Sequence, residues 1–270
     1  MDTAFFCSKS NKTIPNKVIS FKSPVVSEIS WINVFIIKVI LKVMDNKSHN
    51  NNILKGYNML FYFAGSMIMH EPSEECIVDF WERGILKNLP VSSSNPNFVK
   101  AASQLRDSFI DKTKFGKLLH EDYLRLFTSQ LPALAPAYES QYNKEITDRS
   151  GYHSSSVTEF YNSYGWQSKF KGKIDDDHLG IELLFLTLLI DKYLILDDEA
   201  CKGEMRKEIR RFINHHILSW VPEWNNKVQI HANTLSFKGI GNLILACSED
   251  IFILFGQKST TAFSTDFLKN

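Results

Sequence analysis

What the chain lacks narrows it first. Its four cysteines, Cys7, Cys76, Cys201 and Cys247, are scattered, with no Cys-x-x-Cys pair and no histidine at zinc-ligand spacing. They read as reduced thiols of a cytosolic protein. There is no Gly-x-x-x-x-Gly-Lys loop and no Gly-x-Gly-x-x-Gly after a strand, so the usual phosphate cradles are not signalled. Gly-x-Ser-x-Gly and His-Glu-x-x-His are absent too, which removes two common hydrolase signatures. Neither sign of charge dominates: 31 basic and 30 acidic residues leave a formal net charge of +1. No global field therefore argues for nucleic acid or an anionic membrane as partner. The apolar stretch at residues 29–43, interrupted by Ser30, Asn33, Lys38 and Lys42, falls short of the roughly 20 apolar residues that a spanning helix needs.

Period-2 alternation long enough for a sheet is missing, and so is any internal repeat. What remains is helical periodicity, broken at prolines and Ser- or Asn-rich connections. Helices are expected over residues 53–69, 72–89, 98–110, 114–128, 154–164, 177–196, 198–220, 223–233 and 238–255. In the first, Leu54, Leu60, Phe61, Ala64 and Ile68 face inward. In the fourth, Phe115, Leu118, Leu119, Tyr123, Leu126 and Phe127 share one side. The expected fold is all-α, a compact single-domain bundle of about nine or ten helices over residues 53–256, followed by a tail at 257–270. Residues 1–52, rich in Lys, Ser and Asn, read as an atypical extension. Three readings of it stand side by side: a non-native stretch upstream of a start at Met44, a loosely attached helix, and a membrane-associating segment. Its composition does not fit a secretory signal, and stable membrane insertion is not expected.

Two constellations put charge beside apolar surface. The first is Ala135-Pro136-Ala137-Tyr138-Glu139-Ser140-Gln141-Tyr142, which follows Pro132 in a restrained turn. There Tyr138 and Tyr142 would tie the loop to a buried helix through their hydroxyls, with Glu139 accepting a backbone donor. The second is Asp175-Asp176-Asp177-His178-Leu179-Gly180-Ile181-Glu182. From Leu179 to Ile190 only Gly180, Glu182 and Thr187 interrupt the apolar character, so this helix is surrounded by protein, and a charge on it needs a partner. His178 and Glu182 are four residues apart on one face, and the Asp triplet would cap the helix start. A structural reading makes these groups a cap and a satisfied buried pair. A functional one requires the helix start to open onto a groove, where Asp175, Asp176 and Asp177 could accept guanidinium hydrogen bonds beside an apolar wall. A third block, His216-Ile217-Leu218-Ser219-Trp220-Val221-Pro222-Glu223-Trp224, reads as a helix end stopped by proline, with both tryptophans packed between helices. The glycine-rich Lys238-Gly239-Ile240-Gly241 reads as a helix start or hinge.

These blocks, with Glu121-Asp122-Tyr123-Leu124-Arg125-Leu126-Phe127 upstream, resemble in order those of the molybdoenzyme maturation chaperones. That family handles twin-arginine signal peptides and includes the chaperones of trimethylamine-oxide and dimethyl-sulfoxide reductases. The resemblance runs from Glu121 to Trp224. It departs at Asp176, which stands where the family has proline before Asp-His. It implies a cytoplasmic chaperone, not an enzyme, whose partners are the apo-form catalytic subunit of a molybdopterin oxidoreductase and its twin-arginine signal peptide. It further implies that client contacts fall on Tyr138, Glu139, Asp175, Asp176, Asp177, His178 and Glu182. Tyr123, Phe127, Pro136, Tyr142, His216, Trp220, Pro222 and Trp224 would serve as scaffold. No stably bound cofactor is expected, and transient contact with the molybdenum cofactor or a guanine nucleotide is left open. Two other classes fit the same residues: a helical adaptor unrelated to molybdenum, and a metal-dependent hydrolase on His178 and Glu182. The second is weak on spacing, because no other histidine lies near His178 in sequence.

Overall fold

The computed structural model describes residues 49–71, 73, 87–108, 115–128, 132–143 and 155–256. All of these lie in the unit Asp45–Asn270. Eight α-helices occur among them: α1 (His49–Met69), α2 (Pro96–Asp107), α3 (Phe115–Phe127), α4 (Ser155–Ser163), α5 (Leu179–Ile195), α6 (Glu199–Phe212), α7 (Val221–His231) and α8 (Leu235–Gly256). A 3-10 turn at Glu139–Gln141 and a π turn at Ile213–Ile217 complete the regular structure. No strand is found among the described residues, only an isolated bridge between Tyr138 and His178. Most of the expected helix at 72–89, nearly all of the extension at 1–52 and the tail at 257–270 lie outside the described residues.

α8 is the axis. Buried residues occupy every side of it, from Phe237 and Ile240 to Ile251 and Phe255, and it packs on α1, α2, α6 and α7. This accounts for a helix apolar enough, by length and composition, to cross a membrane: its apolar surface is used inside the bundle. α5 plays a similar part against α1 and α6, with Leu179, Ile181, Leu183, Phe185, Leu186, Leu189 and Ile190 wholly buried.

Several boundaries differ from those expected, each for a physical reason. α1 starts one turn early, so His49 to Asn52 are helical. α8 begins at Leu235, which puts Gly239 and Gly241 inside a helix instead of at its start. A Cβ on Gly239 would come within 2.7 Å of the Leu105 side chain, and one on Gly241 within 2.5 Å of Asn225 Oδ1. Both glycines therefore serve close helix packing against α2 and α7, not a hinge. The long helix expected over 198–220 is broken. Asp198 caps α6 as its residue type suggests, accepting from Cys201 N at 2.8 Å, but the helix widens into the π turn after Phe212 and stops at Trp220. Pro222 then sits in the first turn of α7, where its missing N–H costs nothing. On α3, Leu119, Tyr123 and Leu126 are buried as the periodicity requires, but Leu118 is 47% exposed, at the edge of the apolar stripe.

α3 is tied to the α7–α8 connection by one carboxylate. Asp122, 1% exposed, accepts from Asn233 N at 3.0 Å, Thr234 N at 2.8 Å, Thr234 Oγ1 at 2.8 Å and Arg125 Nη1 at 3.0 Å. These backbone donors stand at the start of α8, where no intrahelical acceptor exists for them.

Candidate functional site

The two constellations meet. Leu179 N donates to Ala137 O at 2.8 Å and Glu139 N to Asp177 O at 2.9 Å, forming the bridge between Tyr138 and His178. Asp177 accepts from Ser140 N at 3.1 Å. The proline-restrained loop is held from its other side by Leu134 N and Ala135 N, which donate to Arg125 O and Leu126 O of α3, and by Trp224 Nε1, which donates to Ala135 O at 3.2 Å. Residues 37 or more apart in sequence thus fix one turn against the start of α5.

The caps are assigned differently from expectation. His178, not the Asp triplet, is the N-cap of α5: its Nδ1 accepts from Gly180 N at 3.0 Å. An imidazole nitrogen that accepts an amide hydrogen bond must be unprotonated. Burial, with a smaller contribution from His70, pushes the His178 pKa down to about 3. The triplet is divided by role. Asp177 is buried, and desolvation raises its pKa against the lowering effect of the Ser140 hydrogen bonds. Asp176 is half-buried, accepts from Thr158 Oγ1, and its carbonyl accepts from Tyr161 Oη. Asp175 is exposed.

Glu139 does not accept a backbone donor; Asp177 has that role. Instead the Glu139 carboxylate, 2% exposed, faces His216 Nδ1 at 3.2 Å, with Asn143 Nδ2 at 3.5 Å from its other oxygen. The π turn carries His216 to this point, between the rings of Phe160 and Phe212. Glu182 is fully buried and, among the described residues, neither of its oxygens has a donor. Trp220 Nε1, close to it, is committed to His216 O at 2.6 Å. The expected satisfied pair of His178 and Glu182 does not form. Desolvation first, then the carboxylates of Glu139 and Asp177, raise the Glu182 pKa well above the ordinary range, which favours its neutral form.

The tyrosines also depart from expectation. Tyr142 Oη is buried without a hydrogen-bond partner among the described residues, and the ring stacks on Trp220 at 5.3 Å with Lys227 Nζ 4.3 Å from its centroid. Tyr138, half-buried, meets the His178 ring edge-on at 4.9 Å, and its phenol pKa is raised by burial and then by Asp175 and Asp177. Backbone groups, not hydroxyls, tie this loop to α5. Phe127 lies between Trp224 and Phe237, with Tyr123 at its edge, beneath the same loop. Sequence reasoning did not single out Tyr161 or Asn143. Asn143 reaches Glu139 from four residues on, while Tyr161 reaches Asp176 from α4, a contact that local spacing does not mark.

In this conformation the side chains of Glu139, Asp177, His178 and Glu182 at the helix start are buried beneath their neighbours. Asp175, Asp176 and Tyr138 form the accessible rim above it. No group of three or more His, Cys, Asp or Glu among the described residues could hold a metal ion, and His178 is occupied as a cap, so nothing here favours the hydrolase. No curated protein matches the chain. Over residues 95–226, just under half of the 270, the chain matches the family described as nitrate reductase delta subunit. That family consists of maturation chaperones for molybdoenzymes, not catalytic enzymes; the match supports the chaperone family for this chain without singling out its trimethylamine-oxide or dimethyl-sulfoxide reductase branch.

Proposed function

We propose that the chain is a cytoplasmic chaperone that holds the apo-form catalytic subunit of a molybdopterin oxidoreductase, together with its twin-arginine signal peptide, until the cofactor is inserted. The observation that carries this reading is the family match over residues 95–226, the stretch that contains all three blocks converging on Glu139, His178 and His216. The client is similar to a dimethyl-sulfoxide-reductase-type subunit. Work of this kind is binding alone: no bond is made, and apolar contact supplies about 25 cal/mol per Å² while carboxylates orient the arginines. In this conformation the rim, Asp175 with Asp176 and Tyr138, would meet a guanidinium first; Glu139, Asp177, His178 and Glu182 lie below and would be reached only after the turn moves. Affinity near the micromolar range suits a partner that must hand its client on.

The test is recovery of the complex. Full-length tagged protein purified from its native cell is expected to carry a molybdopterin oxidoreductase subunit with its leader uncleaved and its cofactor absent. Recovery of only unrelated proteins, or of the mature, cofactor-loaded enzyme alone, would contradict the reading and favour a general adaptor.

A further inference from the structure

Beneath the rim, three titratable groups from three separate elements come together in the buried interior. Glu182 comes from α5, Glu139 from the 3-10 turn and His216 from the π turn, at 0%, 2% and 4% exposure. Among the described residues His216 is the group placed to offset negative charge there, and its Nδ1 is directed at Glu139. The other groups that act on Glu182 add no positive charge: Asp177 precedes α5, and Tyr161 of α4 is itself fully buried among carboxylates. On the α1 side, His70 acts on His178, and Arg211 of α6 lies over the Phe160 ring.

Two ionised carboxylates against one imidazole would leave a net buried negative charge with no donor for Glu182, a cost of several kcal/mol. As a neutral acid, Glu182 has an O–H to give, and Glu139 is the adjacent acceptor. We propose that Glu182, Glu139 and His216 form a proton-linked latch, closed while Glu182 keeps its proton and loosened when that proton passes to solvent. Loosening acts where the latch is built. Movement of Glu139 pulls on Glu139 N and Ser140 N, whose bonds to Asp177 hold the turn on the start of α5. The open form would present the Glu139 and Asp177 side chains at the rim. The latch is a property of the chain alone and goes beyond the proposed chaperone role.

Linkage fixes the size of the effect. An opening step that releases one proton changes its equilibrium tenfold per pH unit while the pH lies between the open-state and closed-state pKa values of Glu182. Amide exchange of segment 137–142 in the full chain, corrected for the intrinsic pH dependence of exchange, is expected to show protection falling about tenfold per unit as pH rises above the ordinary carboxylate range. Glu182→Gln, neutral at every pH and nearly isosteric, is expected to remove that slope while keeping the helical content. Infrared titration of the unmodified chain provides a second measurement should the variant not fold: a protonated buried carboxyl band is expected to persist at neutral pH. An unchanged slope in Glu182→Gln, or the absence of any protonated carboxyl at neutral pH, would overturn the latch.

Discussion

Replacing Asp122 by alanine is expected to lower the unfolding free energy by about 3–5 kcal/mol. Four donors converge on this one buried carboxylate, and two of them are backbone amides that begin α8 and have no other acceptor. The substitution leaves those donors desolvated and unpaired, each at about 1–3 kcal/mol, and frees the Arg125 guanidinium from its closest anion. It also detaches α3 from the α7–α8 connection, although Arg125 Nη2 keeps its bond to His231 O at 3.3 Å. Urea unfolding followed by circular dichroism measures the effect. A loss below about 1 kcal/mol would show that water or a neighbouring side chain replaces the carboxylate. Asp122→Asn is expected to fall between, since the amide oxygen accepts but its NH2 group opposes the remaining donors.

Acid is expected to destabilise the protein through His178. Its pKa is near 3 in the folded chain, against about 6.5 in the unfolded one. Below pH 6.5 the unfolded state therefore binds more protons, and stability falls as the pH drops from 6.5 towards 3; above 6.5 the contribution is complete. A separation of this size corresponds to roughly 5 kcal/mol over the window, at 1.36 kcal/mol per unit. Asn at the same position retains a capping oxygen for Gly180 N and cannot take up a proton. His178→Asn is thus expected to flatten the acid limb of a plot of melting temperature against pH while leaving stability at pH 7 within about 1 kcal/mol. A variant as acid-sensitive as the parent would assign the acid loss to other groups. Asp177 and Glu182 act in the opposite sense: their folded pKa values are raised, so they favour the folded state at low pH and lose that contribution as the pH rises.

These two residues also show which parts of the molecule can be read from a sequence. Helix periodicity is local, so the inward faces of α1 and α5 are legible, as is the Asp198 cap. The division of the 198–220 helix is not, because a π turn has the same composition as the helix it interrupts and is fixed by where His216 must go. Gly239 and Gly241 look like breakers until Leu105 and Asn225, from other helices, are seen to fill the space beside them. At the site, the ordered blocks identify which residues meet: the Tyr138 to Tyr142 turn, the Asp175 to Glu182 start and the His216 to Trp224 corner are neighbours in space. Their pairing is a different matter. Asp177 with Ser140 and Glu139 with His216 depend on side-chain directions across 37 to 77 residues of separation, which spacing along one helix cannot specify. Whether the helix start is open or sealed depends on that same long-range packing.

The most direct test of the chaperone reading is calorimetric titration of the full chain with a twin-arginine leader peptide, beside the same peptide with both arginines changed to alanine. Binding near 1 μM is expected for the first, at least about tenfold weaker binding for the second, and a similar tenfold loss when Asp175→Lys is titrated with the intact leader. Equal affinity for the two peptides, or no binding of the intact leader at all, would contradict it.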